Sequence, residues 1–301
     1  MHSRLKNLSQ LATELRGSNL RSRSPIEIEA RLKDLLEGFD ALGTIYTDQS
    51  TWLRGRRNTP PNGFLNVKEL LYRSPPSPNY GRANTPNQQV LYASNNTRTV
   101  FDEIGAMVGD LVHLVAIRAQ GGKTFPCTVV GEYQSIMNSG RSLTRCYDNE
   151  EKVEEICFTN QARANELLCI DGFLSEAFRR QTVFDCEYQI TAKFAELASH
   201  FGPSGVVYES VQSPYALNLA LPARLFNANC EVIFTELHRI DDYFGFGAYR
   251  STLVKRTNKI LPDGTIDWIG ASEIPFHQDI RSGFTVPPEV AGWRVNSSTS
   301  T

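Results

Sequence analysis

The residues best equipped for chemistry fall in short, separated segments: Trp52-Leu53-Arg54-Gly55-Arg56, Tyr80-Gly81-Arg82-Ala83-Asn84, Val90-Leu91-Tyr92-Ala93-Ser94, Thr97 to Glu103, Val207-Tyr208-Glu209-Ser210 and Asn218-Leu219-Ala220-Leu221. A guanidinium at Arg54 or Arg82 offers a planar fork of donors that suits phosphate oxygens and stays charged at any working pH. The aromatic face of Tyr92 favours a positively charged ring, while its hydroxyl can still find a partner. A carboxylate at Glu103 can stabilise a positive centre that develops during a reaction. Ser210 and Asn218 supply hydrogen bonds. Taken singly, each has an ordinary explanation: a surface ion pair for the arginines, a core position for the tyrosine, a solvated helix face for the glutamate, a turn or loop role for the serine and asparagine. Arg56 carries less weight than its neighbour.

Other arrangements are set aside. His2, His113, His200, His238 and His277 show no metal-ligand spacing with one another or with cysteine, so no metal is expected. Gly245-Phe246-Gly247 and Gly121-Gly122 lack the strand, glycine pattern and following helix of a phosphate cradle. The glycines of a hydrolase nucleophile elbow are missing around Ser210.

Several elements must position these segments. Ser24, Pro25 and Glu27 start a helix with Ile28, Leu32, Leu35, Leu36, Phe39 and Leu42 on one face, and Gly43 is expected to end it. Residues 1 to 23 are polar and basic and read as a frayed or weakly helical arm. Between Thr44 and Tyr92, Pro- and Gly-rich loops interrupt short strands. Val90 to Ala93 reads as a strand, Thr97 to Val108 as a helix capped by Thr97, and Leu111 to Ile117 as a strand. Residues 118 to 160 suggest an inserted loop or helical lid. Glu187 to His200 reads as a helix stopped by Gly202-Pro203 before the strand Gly205 to Tyr208. Cys230 to His238 and Tyr249 to Lys255 read as strands, Leu261 to Gly264 as a turn before Thr265 to Ile269, and Asn296 to Thr301 as a disordered tail. The mixture points to an α+β fold rather than regular βαβ winding.

Composition narrows the classes. The 301 residues include 31 basic and 33 acidic ones, a formal charge of -2, so no overall bias favours a nucleic-acid backbone or an anionic membrane. A hydrophobic content of 41% is enough for a sizeable core and excludes wholesale disorder. Met107 to Ile117 falls short of a membrane span, and Met1 to Arg23 lacks the apolar centre of a secretory signal. Six cysteines without a CxxC pair read as reduced thiols, and a cytoplasmic location is expected.

The ordered segments resemble the RES domain family, whose Arg, Glu and Ser fall here at Arg82, Glu103 and Ser210. Tyr92 lies ten residues after Arg82 and eleven before Glu103, and Trp52 to Arg56 is similar to the family's upstream arginine motif. The likeness covers roughly residues 50 to 235, with 1 to 49 an added N-terminal arm and helix, an insertion near 120 to 180, and 236 to 301 added strands and tail on the same domain. The resemblance implies an ADP-ribosyltransferase-like mixed β-sheet core with surrounding helices. It further implies an enzyme acting on NAD+, in the manner of the NAD+-degrading toxins of bacterial RES-Xre toxin-antitoxin systems. In that reading Glu103, Arg82 and Ser210 are catalytic, Arg54, Tyr92 and Asn218 bind NAD+, and NAD+ is substrate rather than cofactor. An antitoxin protein and self-association are the partners such a role allows. Transfer of ADP-ribose to a protein, and a catalytically silent nucleotide- or partner-binding module, are the alternatives.

Overall fold

Strands that are far apart in sequence meet in one nine-stranded mixed sheet. The computed structural model describes residues 2–16, 20, 23–57, 59–180, 185–200, 204–213 and 216–268. Its strands are β1 (Gly43–Tyr46), β2 (Trp52–Arg56), β3 (Val90–Ser94), β4 (Leu111–Ala119), β5 (Phe125–Val129), β6 (Gly205–Glu209), β7 (Leu217–Pro222), β8 (Cys230–Tyr243) and β9 (Tyr249–Thr257). Their order is β1-β5-β6-β7-β3-β2-β4-β8-β9. Only β5 and β6 run parallel. The helices are α1 (His2–Glu14), α2 (Pro25–Leu36), α3 (Thr97–Glu103), α4 (Glu132–Ser139), α5 (Tyr147–Thr159), α6 (Gln161–Arg179), α7 (Asp185–His200) and α8 (Ala223–Asn229). The fold is α+β. Among the described residues no helix is long and apolar enough to cross a membrane.

Alternation along the central strands builds two cores, because successive side chains leave opposite faces of a sheet. Val90, Val206, Tyr208 and Ala220 pack with Ile170, Phe173, Leu174 and Phe178 of α6 and with Ile190 and Phe194 of α7. Leu91, Ala93, Val207, Leu219 and Leu221 face the other way, onto Trp52, Leu70, Leu71 and Phe226.

The helices depart from expectation in instructive ways. Residues 2–14, expected as a frayed or weakly helical arm, are a helix packed into the core, because Leu8, Leu11, Ala12 and Leu15 form a buried stripe shared with α6. The helix α2 starts as expected, with a full capping box between Ser24 and Glu27, but it stops at Leu36, and Gly43 opens β1 instead of ending the helix. The helix α3 is capped by Asn96, not Thr97, and ends at Glu103; Gly105 follows at φ 60°, a backbone region glycine enters without strain. Met107 and Val108 are therefore exposed loop residues and not part of a helix face.

Residues 118 to 160, expected as an inserted loop or helical lid, contribute an inner strand, β5, and two packed helices, α4 and α5, with α6 following directly. Buried polar anchors hold it. Glu132, fully buried, accepts bonds from Ser142 Oγ at 2.5 Å, Asn149 Nδ2 at 2.8 Å and the Leu143 amide at 2.9 Å. Asp171 of α6 accepts the amides of Gly131 and Gln134 at the start of α4. The later strands extend the sheet through β4, and the turn at Leu261–Gly264 closes with a 2.8 Å backbone bond. Beyond it, where a strand over Thr265 to Ile269 is expected, Thr265 and Ile266 make isolated bridges to Asn66 and Ile260, and the Ile266 amide donates to the Leu65 carbonyl; Ile269 lies outside the described residues. The tail expected at 296–301 lies outside the described residues.

Candidate active site

Cross-strand register gathers the polar side chains. Ser94 of β3 lies opposite Asn218 of β7, which also faces Tyr208 of β6, and Tyr92 lies opposite Ala220. Tyr92, Ser94, Tyr208 and Asn218 thus share one face. The chain leaves β3 at Ser94, turns through Asn95 and Asn96, and enters α3, which lies across β2. Gly55 permits that crossing: a Cβ there would sit 2.5 Å from Val100 Cγ1 and 3.1 Å from Leu114 Cδ2. The short helix then delivers Glu103 to the polar cluster.

Glu103 Oε1 accepts a bond from Ser210 Oγ at 2.6 Å and another from Asn218 Nδ2 at 2.7 Å. The direction of both bonds is set by what lies behind them. Ser210 Oγ accepts the amides of Gln212 at 3.2 Å and Ser213 at 3.1 Å, so its single proton goes to Glu103. Ser94 Oγ donates to Asn218 Oδ1 at 2.5 Å, which leaves the asparagine NH2 facing the carboxylate. Ser94, Ser210 and Asn218 are buried, whereas Glu103 is exposed at the surface end of the cluster. A solvent-reachable carboxylate is held on one oxygen by two buried donors.

Arg82 and Tyr92 are joined through their loop. The Tyr92 hydroxyl donates to Asn84 Oδ1 at 2.8 Å and accepts the Ala83 amide at 2.8 Å. Gly81 is required beside them, since a Cβ there would lie 2.2 Å from Asn84 Oδ1 and 3.2 Å from the Tyr92 hydroxyl. Arg82 Nη1 donates to the carbonyls of Phe178 and, at 3.1 Å, Arg180, at the end of α6, and its guanidinium lies 5.5 Å from the centre of the Tyr188 ring. Burial pushes the Tyr92 and Tyr208 phenols well above their usual range, so both keep their protons.

Arg54 has a different setting. The strands β2 and β3 meet only at Leu53 and Ser94 and part beyond that pair. Into the opening Arg54 sends Nε to the Leu70 carbonyl and Nη1 to the Tyr92 carbonyl, both at 2.8 Å. Desolvation pushes its pKa down to about 10, which still leaves it charged at neutral pH.

These residues surround a cavity of about 230 Å³ lined by Arg54, Arg82, Tyr92, Glu103, Tyr208 and Asn218 among others. Ser210 is not in the lining; it supports Glu103 from behind. Five of the six expected site residues therefore share the cavity wall, and the sixth is bonded to one of them.

No known protein-family model and no curated protein matches the chain.

Ser94, Asn84 and Tyr208 belong to the cluster although the motif alone did not assign them roles. Period-two alternation from Tyr92 would have put Ser94 on the same face. Nothing local in the sequence ties Asn84 to Tyr92, because that contact depends on how the loop folds back onto β3.

Proposed function

We propose that the chain consumes NAD+ by cleaving the bond between nicotinamide and ribose, with water or phosphate as acceptor, as an NAD+ glycohydrolase or phosphorylase. The observation that carries the reading is the Glu103 carboxylate, exposed to the cavity and fixed through Oε1 by Ser210 and Asn218. Nicotinamide leaves from a cationic ring, so no strong acid is needed. The demand is for a negative group beside the anomeric carbon as oxocarbenium character grows there, and for a substrate held in line. Glu103 supplies the charge, its second oxygen facing a ribose hydroxyl. Ser210 and Asn218 act as positioning residues that hold the carboxylate in one rotamer.

In this reading Tyr92 and Tyr208 give the nicotinamide ring an aromatic wall, and Arg82 adds positive charge on the phosphate side. Arg54, spent on two backbone carbonyls, keeps the opening between β2 and β3 in shape; its part is support of the cavity more than a grip on phosphate. The parting of β2 from β3 beside this cavity in a mixed sheet also supports an ADP-ribosyltransferase-like fold. A toxin role with an antitoxin partner, in the cytoplasm, follows from the family likeness if NAD+ loss is the activity.

One feature favours a second reading, transfer of ADP-ribose to a protein. The β8–β9 tip exposes Phe244 and Phe246, and it adjoins α3, since a Cβ on Gly247 would lie 2.7 Å from Asp102 Oδ2. An apolar tip beside the site suits a protein acceptor.

Purified chain mixed with NAD+ should release free nicotinamide, and labelled NAD+ should remain in small products. Label recovered on protein would favour the second reading; NAD+ binding without turnover would reduce the site to a binding module.

A further inference from the structure

At about 230 Å³ the cavity beside Glu103 is smaller than the roughly 300–1,000 Å³ that encloses a whole small-molecule ligand. A dinucleotide with its reacting bond at Glu103 must therefore extend elsewhere. A second cleft, of about 690 Å³, shares no lining residue with the first but is linked to it at the end of α6: Arg180 lines it, and the Arg180 carbonyl accepts a bond from Arg82 in the cavity wall. Arg179, also in the cleft, pairs at 3.4 Å with Glu209, the residue before Ser210.

The charged residues lining this cleft are Arg16, Arg179, Arg180 and Glu176, three guanidinium groups against one carboxylate. Glu176 lies 2.5 Å from Arg16 Nη2 through one oxygen and 2.5 Å from Arg180 Nη2 through the other, so it draws both guanidinium groups toward one point. Arg16 also lies 5.8 Å from the centre of the Phe173 ring. The carboxylate is exposed, where such pairs are weak and exchangeable. A diphosphate carries more charge and more acceptor oxygens than a single carboxylate, and bidentate arginine contacts suit it.

We infer that this cleft between the end of α1 and α6 receives the phosphate-bearing distal half of the dinucleotide, a nucleoside diphosphate, with Arg16, Arg179 and Arg180 as its phosphate ligands. The identity of the ligand rests on the NAD+ reading above; the charge and shape of the cleft do not. Glu176 then acts as the occupant that the phosphates displace.

Calorimetry with ADP on the full chain tests this, with NAD+ turnover followed in parallel. Replacing both Arg16 and Arg180 by alanine should weaken ADP binding about 10-fold or more and raise the KM for NAD+ by a similar factor with a smaller change in kcat. Glu176→Gln should act in the opposite direction and tighten ADP, a gain that loss of folding cannot imitate. ADP that fails to bind the unaltered chain, or binds it and both variants equally, overturns the cleft. A chain that releases nicotinamide yet gives that result keeps the catalytic reading. One that binds ADP through these arginines but never releases nicotinamide keeps the cleft and loses the catalytic reading.

Discussion

The Ser210 hydroxyl meets the Glu103 carboxylate at 2.6 Å although 107 residues separate them in the chain. The contact requires β6 and α3 to arrive at the same point from opposite directions. Asn218, paired across the sheet with Ser94, donates to the same oxygen. The carboxylate geometry therefore depends on three elements at once, and each can be loosened separately.

Ser210→Ala and Asn218→Ala should each lower kcat for nicotinamide release by about 10-fold, the worth of one hydrogen bond to a charged group. Because both donors hold one oxygen, the double variant should show clear coupling instead of simple additivity. A double-mutant cycle on kcat checks this; independent effects would mean that the two bonds do not act on a common rotamer.

Tyr92→Phe removes the donor to Asn84 Oδ1 and the acceptor for the Ala83 amide, leaving a buried asparagine short of a partner. A loss of about 1–3 kcal/mol in urea unfolding is expected. The loop that carries Arg82 is released at the same time, so KM for NAD+ should rise. Unchanged stability and KM would show that the hydroxyl does not hold the loop.

Much of this candidate site is legible in the sequence, because Arg82, Tyr92, Glu103, Ser210 and Asn218 lie in short motifs whose strands and helix have strong local patterns. What could not be read depends on packing between distant parts. The leucines of α1 were outweighed by the basic, polar residues around them, and their stripe has meaning only once α6 is there to receive it. The helices after β5 owe their placement partly to buried carboxylates at Glu132 and Asp171, which a search for apolar periodicity passes over. Arg54 read as a phosphate ligand, yet the splitting of β2 from β3 turns its donors inward. The cleft at Arg16 and Arg180 joins residues just past the C-terminal ends of α1 and α6.

Gly55→Ala should destabilise the fold by about 1–3 kcal/mol, since the added methyl would meet Val100 Cγ1 at 2.5 Å and overpack the α3 contact. Activity should fall further than the stability loss explains, because α3 carries Glu103. Urea unfolding combined with kcat at a temperature where the variant is folded separates the two; a neutral substitution would show that α3 has room to move.

The pH dependence of stability should have a component from His113. This fully buried ring accepts the Phe64 amide on Nδ1 at 3.0 Å, which puts its proton on Nε2, an atom with no hydrogen-bond partner among the described residues. Burial pushes its pKa down to about 4. The unfolded chain takes up a proton near pH 6.5 while the folded chain resists it, so stability present above that pH is lost as pH falls toward about 4, by roughly 3 kcal/mol at most. Unfolding free energies at pH 7.5 and 4 for the chain and for His113→Phe should differ in their pH dependence by this amount. Parallel profiles would show that the histidine is not held neutral.

The most direct measurement is nicotinamide release from NAD+ by the unaltered chain and by Glu103→Gln, which keeps the shape of the side chain and removes its charge. The account predicts steady release by the first, and release at least ~100-fold slower by the second with NAD+ still bound, the loss of several kcal/mol of charge stabilisation in the transition state. No release by the unaltered chain, or equal rates for the two, would contradict it.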